Sequence, residues 1–325
     1  MTRRQQEAAL LGALFEVPEE WVVLGDLARR AGLTPQEIEP MLAPYREAGY
    51  PVEFHPQGRV RLNAPPDIWS AEEILGRCPA PEGGPVWEPL LLTETASTND
   101  VAREQASRGV PGGFVVAAAR QTRGRGRLGR VWESAREAGL YVSILLRPEL
   151  ATRDAGQLTV LGSVAMADAV EAAAGFRPQI KWPNDLVVDG RKLGGLLIET
   201  EPTGPRLAWA VIGIGINVNH EQGDFSPEVR AIATSLRLIT GRSHRRADLL
   251  VAVLRAFSNR LVRPFAETRE AWEASSLTLG QRVTLTTLRG TRHGQAVGLD
   301  PSGALLLRGE SGEVEVVTAG DMQAV

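Results

Sequence analysis

Gln121 to Arg130 reads QTRGRGRLGR, and its setting decides the fold. Gly124, Gly126 and Gly129 satisfy GxGxxG, the fingerprint of a dinucleotide-binding βαβ unit, which must follow a strand directly and open a helix. Here Arg120, Gln121, Thr122 and Arg123 separate the glycines from the apolar strand Phe114 to Ala119, and the chain beyond turns to a second strand, Leu140 to Leu146. Strand, loop, strand is not a Rossmann unit. Five arginines and no acid lie between Arg120 and Arg130. Each guanidinium resists burial without an anion, the glycines let backbone N–H groups come close to one, and arginine forks grip carboxylate or phosphate at two points. The alternative is a solvated, flexible basic loop.

Downstream, apolar periodicity gives a helix from Leu158 to Ala174. Then Gln179 to Trp182, Leu186 to Val188, Lys192 to Glu199 and Leu207 to Val218 read as strands of a meander, with Asp189-Gly190 as a hairpin turn. Short apolar runs joined by tight turns make a mixed or antiparallel sheet rather than a βαβ array. Upstream, Leu90 to Leu92 begins a strand, and Ser97-Thr98-Asn99-Asp100 opens a helix to about Arg108, as N-caps, as ligand contacts, or both. An amphipathic helix from Ala247 to Phe265 closes this region. The fold class is α+β.

The flanks differ. Helices at 5–15 and 24–31, the turn Gly32-Leu33-Thr34-Pro35 and a third helix with Thr34 as N-cap make a helix-turn-helix, and Val52 to Leu62 reads as a two-stranded wing. Pro40 and Pro44 should interrupt the third helix. Residues 1–75 hold seven arginines against twelve acids, a net of −5, which is wrong for a DNA-reading unit. From Thr278, strands at Val283 to Leu288, Gln295 to Leu299, Ala304 to Arg308 and Val314 to Thr318 read as a small β-barrel. The expected domains are 1–77, a linker at 78–89 (CPAPEGGPVWEP), 90–275 and 276–325.

The 325 residues carry a net charge of −3, so any anion site must be local. One cysteine, Cys78, excludes an intrachain disulfide and fits a cytoplasmic protein. No apolar run approaches the roughly 20 residues that span a bilayer. His55, His220, His244 and His293 are scattered and form no metal motif, and no GxSxG elbow or Cys/His pair suggests an enzyme nucleophile. What remains is cationic. Of 36 Lys plus Arg, only Lys181 and Lys192 are lysines, and both lie in the meander. An arginine-glycine loop beside two lysines suits a reaction that develops negative charge on phosphate and carboxylate.

RGRGRLGR, KWPNDL from Lys181, GRKLGGLLIE from Gly190 and GIGINV from Gly213, preceded by the STN of Ser97 to Asn99, resemble in content and order the motifs of the biotin protein ligase family. The resemblance covers nearly the whole chain and matches the bifunctional ligase/repressor type: a winged helix, a biotin/lipoate ligase-like catalytic domain and an SH3-like barrel. It implies that biotin and ATP, with Mg²⁺, form biotinyl-5′-AMP, and that biotin then passes to a lysine of the biotin carboxyl carrier protein of acetyl-CoA carboxylase. By motif match Ser97, Thr98 and Gln121 hold the ureido ring; Asn99, Arg125, Gly126, Arg127 and Gly195 line biotin, and the loop also the adenylate. Arg127 and Lys192 are the implied catalytic cations. Trp132, Lys181, Asn184, Asp185 and Asn217 are implied at the nucleotide, Asp185 also at Mg²⁺. Trp182 and Pro183 contact a ligand or simply pack. The family type also implies a homodimer and repression of biotin genes, the latter against the charge of residues 1–75. Two other readings share parts of this pattern: a lipoate-protein ligase, and a DNA-binding regulator that uses the middle domain as a biotin sensor.

Overall fold

The computed structural model describes residues 1–135, 137–287 and 290–324. Its first helix, α1 (Arg3–Glu16), starts with a reciprocal cap: Thr2 Oγ1 accepts from Gln5 N, and Gln5 Oε1 accepts from Thr2 N. β1 (Val22–Val23), α2 (Leu24–Ala31), α3 (Pro35–Glu47), β2 (Val52–His55) and β3 (Arg59–Leu62) follow. The three strands pair antiparallel in the order β1-β3-β2. Contrary to the sequence expectation, Pro40 and Pro44 do not interrupt the third helix, and α3 runs through both. Ile38, Leu42 and Tyr45 bury one face at helical spacing, while both prolines lie on the exposed face, where the carbonyls they leave unpaired meet water.

α4 (Ala71–Arg77) packs against α1 where two glycines meet. A side chain on Gly12 or Gly76 would run into the other helix's backbone. Glu73, fully buried, accepts from Tyr50 Oη at 2.6 Å and pairs with Arg77 at 2.7 Å and Arg245 at 3.1 Å. Removing one member of such a buried set costs about 3–5 kcal/mol, because a charge is left uncompensated. The Pro/Gly-rich stretch after α4 is anchored at both ends: Cys78 is buried, which pushes its thiol up to about 12, and Trp87 donates from Nε1 to Ser258 Oγ at 2.9 Å.

The central region comprises β4 (Glu88–Leu92), α5 (Thr98–Ser107), β5 (Phe114–Ala118), β6 (Gly139–Leu146), α6 (Gly156–Ala174), β7 (Gln179–Lys181), β8 (Asp185–Val188), β9 (Arg191–Thr203) and β10 (Arg206–Asn217). After the sheet come α7 (Pro227–Arg230), α8 (Leu236–Thr240), α9 (Arg246–Leu261) and α10 (Phe265–Ser275). The sheet order is β4-β5-β6-β10-β9-β8-β7. β4 and β5, joined through α5, are parallel, and all other neighbours are antiparallel. Alternation sorts the faces: Leu140, Val142, Ile144, Ile212, Ile214 and Ile216 join the core built with α6 and α9. Ser143, Gly213 and Gly215 belong to the other face.

The C-terminal sheet is antiparallel, ordered β14-β13-β12-β11-β15, from β11 (Arg282–Thr287), β12 (Gly290–Leu299), β13 (Leu305–Arg308), β14 (Val314–Val317) and β15 (Asp321–Ala324). Leu288, expected at the end of its first strand, lies outside the described residues. Among the described residues no helix is long and apolar enough to cross a membrane.

Candidate active site

Two glycines of GIGIN open the polar face of the sheet. Gly213 pairs with Ser143 across β6 and Leu197 across β9, and Gly215 pairs with Tyr141 and Gly195. A β-carbon on Gly213 would strike the Asn99 amide, and one on Gly215 would lie 2.5 Å from Trp132 Cε2. The sheet is therefore bare where the start of α5 and the arginine loop come down onto it. Between them lies a cavity of about 420 Å³, bordered by Ser97, Thr98, Asn99, Gln121, Arg125, Gly126, Arg127, Trp132, Lys181, Asn184, Asp185, Lys192, Gly195 and Asn217. Every residue singled out from the sequence motifs is in that set.

At one end the polar groups are neutral. Ser97 holds the N-cap position of α5 but its hydroxyl makes no capping bond, contrary to the capping reading. Gln121 reaches across instead: its Oε1 accepts from Thr98 N at 2.8 Å and from Thr98 Oγ1 at 3.1 Å. Asn99 donates from Nδ2 to Glu199 at 2.7 Å and accepts at Oδ1 from Ser143 Oγ at 2.6 Å.

At the other end they are charged. The arginine loop does not wait for an external anion at every position, as its acid-free sequence suggested. Arg120 pairs with Glu94 at 3.0 Å, Arg125 binds Asp100 through both terminal nitrogens at 2.8 and 2.7 Å, and Arg130 pairs with Asp321. Bidentate contact with Arg125 holds Asp100's carboxyl below the usual carboxylate range. Arg127 differs. Its terminal nitrogens donate to two neutral acceptors, Asn184 Oδ1 at 3.3 Å and Gly320 O at 3.1 Å, and burial pushes its pKa down against the opposing pull of Asp185. A half-buried guanidinium with neutral partners is an anion site in the making.

Lys192, at the start of β9, meets Asp185 at 2.7 Å and lies 5.4 Å from the centre of the Trp132 ring. Its backbone N–H donates to Ile232 O and its carbonyl accepts from Thr234 N, which fastens the segment 225–234 beside the cavity. From that segment Phe225, Val229 and Ile232 add an apolar wall. Phe225 stacks on His220, whose burial drops its pKa to about 4 and leaves it a neutral packing group at pH 7. Asn184 donates to Leu196 O at 2.6 Å, and Asn217 donates to Thr234 O at 3.0 Å. Trp182 is buried in the main core and, with Pro183, also borders the cavity.

Asp185 pairs with Lys192 and also pulls on the Arg127 charge. No group of three or more His, Cys, Asp or Glu able to hold a metal occurs among the described residues. The donor set thus fits Mg²⁺ arriving on ATP, held mostly by phosphate and water with one carboxylate, rather than a metal cage of the protein's own. Sequence reasoning missed Asp100, Glu199 and Ser143, which brace this site, and Gly320 to Met322, which reach it from β15. Glu199 closes the GRKLGGLLIE motif and was legible; Asp321, almost two hundred residues from its partner Arg130, had no local signal.

Residues 91–217 match the model of the biotin/lipoate A/B protein ligase family, and residues 278–324 match that of the biotin protein ligase C-terminal domain. The bifunctional ligase/repressor BirA of Bacillus subtilis is 36% identical over 279 residues, covering 84% of this chain and 85% of that protein. The chain belongs to the biotin protein ligase family. The biotin–[acetyl-CoA-carboxylase] ligase of Paracoccus denitrificans is 34% identical to this ligase over 71% of its chain and 98% of the relative. A solved structure of the biotin protein ligase from Aquifex aeolicus, in complex with biotin and ATP, superposes with a TM-score of 0.61 at 32% identity, covering 73% of this ligase and 97% of that chain.

Proposed function

We propose that this ligase condenses biotin with ATP to biotinyl-5′-AMP, releasing pyrophosphate, and then transfers biotin to a lysine of a biotin carboxyl carrier protein. The observation that carries the proposal is the division of one cavity into a neutral, hydroxyl- and amide-lined end and an end where Arg127 and Lys192 converge. A cyclic urea needs neutral donors and acceptors, and an apolar tail needs the bare glycine strip between the two ends. The carboxylate of biotin attacks the α-phosphorus, and the charge that builds on the phosphate oxygens falls to Arg127. Lys192 swings from Asp185 to bridge carboxylate and α-phosphate. Trp132, Lys181, Asn184 and Asn217 hold the nucleotide, and Asp185 would hold Mg²⁺, which would supply positive charge to the phosphates. In the second step the carrier's amine attacks the acyl carbonyl and AMP leaves.

Incubation with ATP, biotin and a purified carrier domain, followed by intact-mass analysis, tests this. One biotin on one lysine, dependent on ATP, is expected. A mass gain with lipoate and none with biotin would favour the lipoate-ligase reading that the family model's breadth leaves open.

Residues 1–77 are taken as a winged helix, 78–89 as its anchored linker, 90–275 as the catalytic domain and 276–325 as an SH3-like barrel. The relatives named as repressors support DNA binding, and a homodimer would suit it; the charge opposes it. The exposed face of α3 presents Glu37, Glu39 and Glu47 against Arg46. With a net charge of −5 over residues 1–75, the electrostatic part of DNA affinity is lost. In a low-salt mobility-shift assay on the biotin-gene promoters of its own genome, we expect weak, sequence-independent binding unchanged by biotin and ATP. A tight, specific complex that biotin and ATP enhance would show a working repressor. A single buried thiol fits work in a reducing cytoplasm.

A further inference from the structure

Both ends of the Asn99 amide are engaged inside the protein. Its Nδ2 donates to Glu199 Oε2 at 2.7 Å, and Glu199 also meets Arg103 at 3.2 Å and Arg125 at 3.7 Å. A carboxylate only accepts, so it dictates which way the amide points. The Oδ1 then faces Ser143 Oγ at 2.6 Å, and Ser143 is fully buried. Ser143 has one proton and two neighbours, Asn99 Oδ1 and Thr98 Oγ1, the latter at 2.8 Å. An amide oxygen has no proton to offer, so the Ser143 proton goes to Asn99.

The consequence reaches Thr98. Its hydroxyl proton has two acceptors at hand, Ser143 Oγ and Gln121 Oε1, both within the protein. Whichever takes it, Thr98 Oγ1 keeps only lone pairs for a ligand. We propose that Glu199, acting through Asn99 and Ser143, is a positioning residue that fixes Thr98 as an obligate acceptor and so selects a ring that donates N–H, a cyclic urea, over a ring with no donor, such as a dithiolane. This rests on the proposed placement of the ureido ring at Thr98. The arrangement also explains the missing side chain at Gly213, where any β-carbon would push Asn99 out of the chain of bonds. A site built to receive a donor leaves a buried acceptor unpaired when an analogue lacks it, which is the strong form of discrimination.

The test measures pyrophosphate exchange by the full-length ligase, with KM for biotin and for ATP, in Thr98→Val, Ser143→Ala, Glu199→Ala and Glu199→Gln. Ser143→Ala and Glu199→Ala should each raise the biotin KM roughly tenfold or more, with kcat and the ATP KM within about twofold. Glu199→Gln can still offer Asn99 an acceptor oxygen, so it should stay within about threefold of wild type. If Glu199→Gln fails as badly as Glu199→Ala, charge rather than bond direction is at work and the proposal is wrong. It is equally wrong if both KM values rise together, which marks a structural effect, or if Thr98→Val raises the biotin KM while Ser143→Ala and Glu199→Ala do not. A biotin KM unchanged in Thr98→Val would remove the ring placement itself, and the proposal with it.

Discussion

Lys192→Arg is expected to lower the rate of biotinyl-adenylate formation about a hundredfold, equivalent to about 2.7 kcal/mol of transition-state stabilisation, while shifting folding stability by less than about 1 kcal/mol. The chain uses arginine at 34 of its 36 basic positions, 36 minus two lysines, and both lysines border the same cavity. An ammonium is a compact charge on a thin stem, able to sit between a carboxylate and a phosphate; a guanidinium is wider and fixed in its fork. The geometry sharpens the argument. Lys192 Nζ sits between Asp185 and the Trp132 ring, a seat matched to a compact head. The side chain is about a third exposed, so folding should tolerate the change. Single-turnover formation of the adenylate, with a thermal melt alongside, is the measurement. A variant with the wild-type rate would put Lys192 outside the chemistry.

Arg127→Met carries the largest expected effect, a fall of roughly a thousandfold in kcat/KM for adenylation, about 4 kcal/mol. Arg120, Arg125 and Arg130 are each neutralised by a carboxylate, so their loss would chiefly loosen the loop. Arg127 has only Asn184 and Gly320 to hold it and no carboxylate in ion-pair contact among the described residues. Its charge is therefore available to a ligand. Arg127 also bonds to the strand end at Gly320, so pyrophosphate exchange must be read together with a denaturation curve. Loss of exchange in a variant that melts like wild type supports a ligand role; retained exchange contradicts it.

The fold was legible where residues act on their neighbours. Asp189-Gly190 between apolar runs announced the hairpin of β8 and β9, and the failure of GxGxxG to open a helix excluded a doubly wound sheet. Local rules misread α3, because Pro40 and Pro44 fall on the face away from Ile38, Leu42 and Tyr45, and a helix so anchored survives two missing donors. They also missed the βαβ unit of β4, α5 and β5 inside an otherwise antiparallel sheet. The residues that line the cavity could be named from motifs, but the contacts among them could not. Nothing in GRGRLGR says that Arg125 turns to Asp100 while Arg127 does not, since the deciding carboxylates come from α5 and β15. Nor does STN reveal that Ser97 leaves its capping bond unmade while Gln121, over twenty residues away, meets the N-terminus of α5.

The central claim is that one cavity binds a cyclic urea at its neutral end and activates a carboxylate on ATP at its cationic end. ATP–pyrophosphate exchange in the absence of any carrier protein tests it most directly, with biotin and lipoate compared at equal concentration. Rapid exchange with biotin and none with lipoate is the predicted result. Exchange driven by lipoate, or no exchange with either acid, would contradict it.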